Sequence, residues 1–465
     1  MPPESGVDRS PFLLWAPLAW LPDGWRKHVL LRTGADGRWA EVSADVVVPP
    51  EGAEVLSGSL LPGVVDAHSH AFQRAFAGAA ERRESASDDF WSWRDRMYGV
   101  ATRISPAQLR AIAAQLYVEL LRGGYTHVCE FHYLQRDTDG ADYADPLVMS
   151  WALADAAADA GIGLTILPVL YERAGFDTAL RQDQRRFRSS PASVFAAATR
   201  IAAAGRPLVD AGIAIHSLRA ASEAGIHELR SLAESFAGPI HIHVAEQTAE
   251  VDDCLRATGA RPVEWLSRAG VLDTRWQLVH ATHAVPSEID AVAASGAGVV
   301  LCPATEANLG DGLCDLRGWL AAGVPLTIGS DSQASRDWRE ELRLLEYGQR
   351  LVLRQRNVAA APELGFASTA ERLFERVLGG SAHAAGQPSW GLVAGARADA
   401  LVVDADADAL LGQPPVRALD ALVFSSPPGA WRSVLVAGQW VVRDGLHAGA
   451  AVISARFEAA MHEIG

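Results

Sequence analysis

From residue 61 to residue 332 the chain alternates two patterns. Unbroken apolar, β-branched runs occupy 61–68, 125–133, 162–171, 212–218, 239–246, 277–282, 297–305 and 325–332. Between them lie Ala/Leu-rich stretches at helical spacing, at 107–123, 147–160, 191–204, 222–236, 250–269, 286–294 and 316–322. Strands that are apolar on both faces belong in a parallel sheet covered by helices. Eight such units predict a (β/α)8 barrel of the TIM type. The alternative is a doubly wound open sheet, which usually has fewer strands and often opens on a glycine-rich phosphate turn. Here His68-Ser69-His70 stands where that turn would be.

The flanks follow a shorter rhythm. Short β runs at 29–33, 39–42 and 46–48 precede the barrel, and others at 400–404, 433–437 and 439–442 follow it. The predicted class is therefore α/β: a barrel of residues 61–384 beside a small β-sandwich domain formed by the N- and C-terminal segments, 1–60 with 385–465. The apolar stretch 11–25 is interrupted by Pro17 and Pro22 and lacks a basic flank and a small-residue cleavage site. Neither a signal peptide nor a membrane partner is expected. The four cysteines show no CxxC spacing and read as reduced thiols of a cytoplasmic protein. A net charge of −15 offers no basic footprint for nucleic acid.

Barrel enzymes carry their chemistry at the C-terminal ends of the strands, and polar residues gather there. Run one ends in His68 and His70, run two in Glu130, His132 and Tyr133, run three in Tyr171, and run four in His216 and Arg219. Run five carries His241, His243 and Glu246, run six His280 and His283, and run eight ends in Asp331. In a strand, His68 and His70 share a face. Singly, such residues are ordinary strand ends or caps; together, three histidines and an aspartate can converge on one ion. A nitrogen and carboxylate set suits zinc, and iron or manganese also accept it.

These residues resemble the amidohydrolase superfamily, whose pattern is HxH on strand one, His on strands five and six, and Asp on strand eight. The resemblance implies a metal at the barrel mouth. A lysine bridge between two metals is excluded, because the sole lysine, Lys27, precedes the barrel. His243 and Glu246 match the HxxE of the mononuclear branch. That branch implies one zinc per chain on His68, His70, His243 and Asp331, with Fe2+ or Mn2+ also admissible. It implies catalytic roles for Glu246, His280 and Asp331.

Within the superfamily, the blocks HSHAFQRAFAG, DDFWSWRDRMY, EFHYLQRD, IHSLRA, HIHVAEQ, LVHATHA, TEANLGDG and LEYGQRL look like the formimidoylglutamate deiminase family. The implied reaction is hydrolysis of N-formimidoyl-L-glutamate, a small molecule with two carboxylates and a cationic amidine head, in histidine degradation. Gln73, Arg94, Tyr133, His216 and Arg219 match that family's substrate contacts. Arginine suits a carboxylate because its fork binds it bidentately. For Glu130 and His132, structural roles are expected. One departure is Gln333, where that family is expected to have His; the following Ala334–Trp338 stretch is also unusual. The competing enzyme reading is another mononuclear zinc aminohydrolase, acting on guanine, a thioether nucleoside or an s-triazine. A non-catalytic scaffold is disfavoured because no ligand is missing. A homodimer is expected by family analogy.

Overall fold

A computed structural model describes residues 11–79, 81, 90–425 and 429–464 of the chain. Part of the DDFWSWRDRMY block, Asp88 and Asp89, lies outside the described residues. The central sheet runs in chain order through eight parallel strands: Val64–Ser69, Tyr125–His132, Gly163–Leu170, Ile213–Ile215, Ile240–Val244, Trp276–His280, Gly298–Leu301 and Leu326–Ile328. They are called strands one to eight below. Strand eight returns to strand one through a parallel bridge between Ser69 and Asp331. The Asp331 amide donates to the His68 carbonyl at 2.9 Å, and the His70 amide donates to the Asp331 carbonyl at 3.3 Å. These bonds close the barrel at its C-terminal mouth. They also fix Asp331 beside the two histidines.

Close backbone approach explains two glycines. A Cβ on Gly329 would stand 2.7 Å from both the Cβ and the carbonyl oxygen of His68. Gly212, between the short strand Val209–Ala211 and strand four, would bring a Cβ to 2.7 Å from the Pro239 carbonyl. At the other end of the barrel the helix Thr369–Ala385 plugs the floor. Its last carbonyls would otherwise lack donors. Cys129 and His241 donate to Ala384 O at 3.3 and 2.9 Å, and Thr165 donates to Ala385 O at 2.9 Å. His241 thus belongs to the floor, not to the mouth.

The chain ends build a second, nine-stranded sheet. Leu13–Leu21 pairs with Gly24–Thr33, and Leu60–Pro62 links it to Ala400–Val403 and so to Trp431–Val436 and Gln439–Arg443. The barrel and the β-rich partner from both termini are those the alternation indicated. Arg397 joins the two sheets. Its guanidinium donates to Asp399 at 3.0 and 2.6 Å, to Thr126 O at 3.1 Å and to His127 Nδ1 at 2.9 Å, all buried.

Three local expectations are corrected, and one strand, Leu13–Leu21, was not among those expected. The run 61–68 spans two sheets: Leu60–Pro62 pairs with Ala400–Val402 before strand one begins at Val64. A Cβ on Gly63 would strike the Thr126 hydroxyl, so only glycine fits between the two strands. Residues 46–48 form no strand, and Val47 and Val48 are exposed. The stretch 250–269 is two helices, Thr248–Thr258 and Pro262–Arg268, parted where Gly259 takes a positive φ of 74°. Leu13–Leu21 is one strand despite Pro17. Its partners on one edge pair near Leu14–Trp15 and at Ala19, which leaves Pro17 between them without a ladder bond to make.

Candidate active site

The mouth holds a buried cluster of ligand-type atoms. His68 Nε2 and His243 Nε2 lie 2.9 Å apart. Asp331 Oδ1 stands 3.4 Å from Nε2 of both His68 and His70. Ligand atoms of His68, His70 and His243 fall within 4.8 Å of one another, as do those of His68, His280 and Asp331. The outer nitrogens decide which lone pairs point inward. His70 Nδ1 donates to Phe131 O and His243 Nδ1 to His216 O, each at 3.0 Å. A carbonyl only accepts, so both Nε2 atoms present free lone pairs.

Burial holds His68 at about 3, and burial likewise lowers His70 and His243, so these imidazoles are neutral. Burial works against ionisation of Asp331, yet hydrogen bonding with His68 and the charge of His280 hold its carboxyl well below the usual carboxylate range. Three neutral imidazoles and one carboxylate, with the His70 and His243 rings held by backbone carbonyls, fit a bound metal ion.

One pocket gathers the other sequence-derived candidates. His70, Gln73, Arg94, Tyr133, His216, Arg219, His243, Glu246, His280 and Asp331 all line it, with His68 beneath. Gln73, in the short helix Ala71–Phe76, has its Nε2 3.5 Å from Tyr133 OH. The Tyr133 ring packs against His70, with centroids 5.2 Å apart. His216 stands edge-on to Tyr171 at 4.6 Å. The Arg94 guanidinium lies 5.6 Å from the Tyr98 ring centre. Burial lowers its pKa, Tyr98 opposes that, and Arg219 and Arg181 add repulsion. Arg94 and Arg219 thus bring two cations to a pocket that Glu246, Glu250 and Asp331 also line.

Glu130 and His132 lie outside the pocket lining. Glu130 accepts the Ala71 amide at 2.6 Å and the Tyr117 hydroxyl at 3.3 Å, and so holds the turn after His70. Gln333 is buried with φ +67°, and its Nε2 donates to Ser69 Oγ at 3.1 Å and Asp331 O at 2.9 Å. The unusual residue therefore clamps the backbone that carries Asp331.

The model of the amidohydrolase family matches residues 59–441. The chain belongs to the amidohydrolase family. It is 46% identical over 444 residues to a formimidoylglutamate deiminase from Pseudomonas aeruginosa, covering 94% of this chain and 96% of that one. A solved amidohydrolase from Brucella melitensis superposes with a TM-score of 0.91 at 40% identity, covering 97% and 99% of the two chains. A solved adenosine deaminase from Xanthomonas campestris with bound zinc shares the fold, with a TM-score of 0.80 at 22% identity over 97% and 98% of the chains.

This amidohydrolase mouth is strained and carboxylate-rich. Ala245, His280, Ala281 and Asp331 all take positive φ, between 46° and 68°. Such backbone is costly for residues with a Cβ and persists where surrounding contacts enforce it. Some enforcing residues lacked a role in the sequence reading. Glu250 accepts the Ala245 and Glu246 amides at 3.2 and 3.1 Å. Asp66, two residues before His68, accepts Ser330 N at 2.8 Å and Ser330 Oγ at 2.6 Å. His280 lies among carboxylates: its Nε2 is 3.7 Å from Glu246 and from Asp331, and its Nδ1 is 3.5 Å from Glu306. Burial would lower its pKa, but these carboxylates hold it up at about 10. Burial pushes Glu246 up to about 7. The inward alternation of residues 66, 68 and 70 was a usable signal for Asp66; Glu306 sat unassigned within the TEANLGDG block.

Proposed function

We propose that the chain hydrolyses N-formimidoyl-L-glutamate to N-formyl-L-glutamate and ammonia, with one zinc ion held by His68, His70, His243 and Asp331. The observation that carries the substrate is the pair of part-buried arginines, Arg94 and Arg219, in the pocket that also contains the histidine cluster. Two guanidinium forks in one pocket suit a substrate with two carboxylates, because each fork can bind one carboxylate bidentately. The deiminase similarity across nearly the whole chain supports the same reading.

A zinc ion there supplies Lewis acidity, bringing a water's pKa towards about 7. Asp331, ionised at neutral pH, accepts the proton of the attacking water. His280 orients that water and stabilises charge on the tetrahedral centre. Glu246 faces the formimidoyl nitrogen and passes a proton to the departing ammonia; a carboxyl near 7 is matched to that exchange. Arg219 and Arg94 bind carboxylates, while Gln73, Tyr133 and His216 orient the rest of the substrate.

The proposal extends to a cytoplasmic homodimer and to residues 61–384 as a unit distinct from 1–60 with 385–465. Among the described residues no helix is long and apolar enough to cross a membrane.

The test is ammonia release by zinc-loaded protein from formimidoyl-glutamate, formimidoyl-aspartate and guanine. The proposal expects the highest kcat/KM on formimidoyl-glutamate and none on guanine. No turnover of formimidoyl-glutamate with metal bound sinks it, and turnover of guanine favours the heterocycle reading.

A further inference from the structure

Glu306 has no part in the chemistry above and does not line the substrate pocket, yet it touches the catalytic histidine. It sits in the first turn of the helix Pro303–Leu309, after strand seven, and is 3% exposed. Its Oε1 accepts the Cys302 amide at 3.0 Å, which folds the carboxylate back towards the barrel. The same oxygen stands 3.5 Å from His280 Nδ1, an ion-pair separation. A carboxylate accepts and cannot donate, so the nitrogen facing it carries an N–H. Nε2 is then turned to Glu246 and Asp331, each 3.7 Å away. His280 needs such a hold: its φ is +68° and that of Ala281 +48°, so regular strand geometry does not aim the ring.

We propose that Glu306 is a positioning residue that fixes the ring orientation of His280 by holding its Nδ1–H. The logic is that of an acidic group behind a catalytic imidazole. The proposal rests on the role of His280 in turnover given above.

The test uses the zinc-loaded full chain as wild type, Glu306→Gln, Glu306→Asp, His280→Asn and the double variant His280→Asn with Glu306→Gln. Glutamine retains an acceptor for Cys302 and removes the charge. The expected loss in kcat for Glu306→Gln is about 10–100-fold, the scale of outer-sphere partners, with KM moved less than about threefold and zinc content unchanged. Glu306→Asp recovers part of that loss and serves the same readouts if the glutamine variant fails to fold. In the His280→Asn background, Glu306→Gln changes kcat by less than about twofold, because residues acting as a unit are non-additive. A second readout needs no substrate. In histidine-labelled protein, the low-field imidazole N–H signal lost in His280→Asn shifts upfield in Glu306→Gln. Equal losses in both backgrounds would assign Glu306 to holding the Cys302 turn and overturn the proposal. So would an unmoved N–H signal. If wild type turns over no formimidoyl-glutamate, the functional reading fails, and the N–H signal alone decides the contact.

Discussion

Replacing Glu246 by glutamine separates what the carboxyl does for turnover from what it costs the fold. The side chain is 12% exposed, and burial raises its carboxyl from the ordinary 4.5 to about 7. A carboxyl with a raised folded-state pKa contributes stability fully below pH 4.5 and loses it as pH rises through about 7. At about 1.4 kcal/mol per tenfold change in proton affinity, that loss reaches about 3 kcal/mol. Glutamine never ionises and does not lose it. Metal-free Glu246→Gln is therefore as stable as wild type near about pH 4 and about 3 kcal/mol more stable near about pH 8. With an unfolding entropy of about 2.1 cal/mol/K per residue over 465 residues, the gain is about 3 °C in Tm. The zinc-loaded variant loses about 10²–10⁴-fold in kcat, the usual share of a general acid–base. Thermal melts of the metal-free proteins across that pH range and an ammonia-release assay measure both. A variant that melts below wild type near pH 8, or keeps kcat within about tenfold, refutes the reasoning.

Other perturbations read different parts of the account. His280→Asn and Asp331→Asn each lower kcat by orders of magnitude, measured as ammonia release at saturating substrate; near-wild-type kcat in either defeats the assignment. Arg219→Ala acts mainly on KM, because a carboxylate grip is made in ground and transition states alike; a fall confined to kcat contradicts that role. Arg397→Ala strands the buried Asp399 carboxylate, 2% exposed, between the two sheets. It lowers unfolding free energy by about 3–5 kcal/mol in denaturant titration, and an unchanged midpoint denies Arg397 its bridging role.

The barrel was legible because a strand buried on both faces and a helix with one apolar stripe write different periods into the chain. The HxH pair was legible for the same reason: alternation puts His68 and His70 on one face whatever follows. The supporting contacts were much less so. Asp66 meets Ser330 across 264 residues, and no local pattern announces a partner at that distance. Glu306 reads locally as an acidic residue in a helical turn, an ordinary place for one; only the fold carries it to His280. Apolarity also says nothing about which sheet a strand joins, so Leu60–Pro62 and strand one merged into a single run. Residues 46–48 failed in the opposite direction: Val46 N still donates to His28 O, but the positive φ of His28 and Asp45 breaks regular pairing there, and Val47 and Val48 face solvent.

The most direct test is zinc titration of metal-stripped protein, followed by ammonia release from N-formimidoyl-L-glutamate. The account predicts no release without metal and a rate that rises linearly to a break at one zinc per chain, with none of that rise in a His68→Ala, His243→Ala double variant. Full activity in metal-free protein, a break at two equivalents, or no ammonia from the fully loaded chain would contradict it.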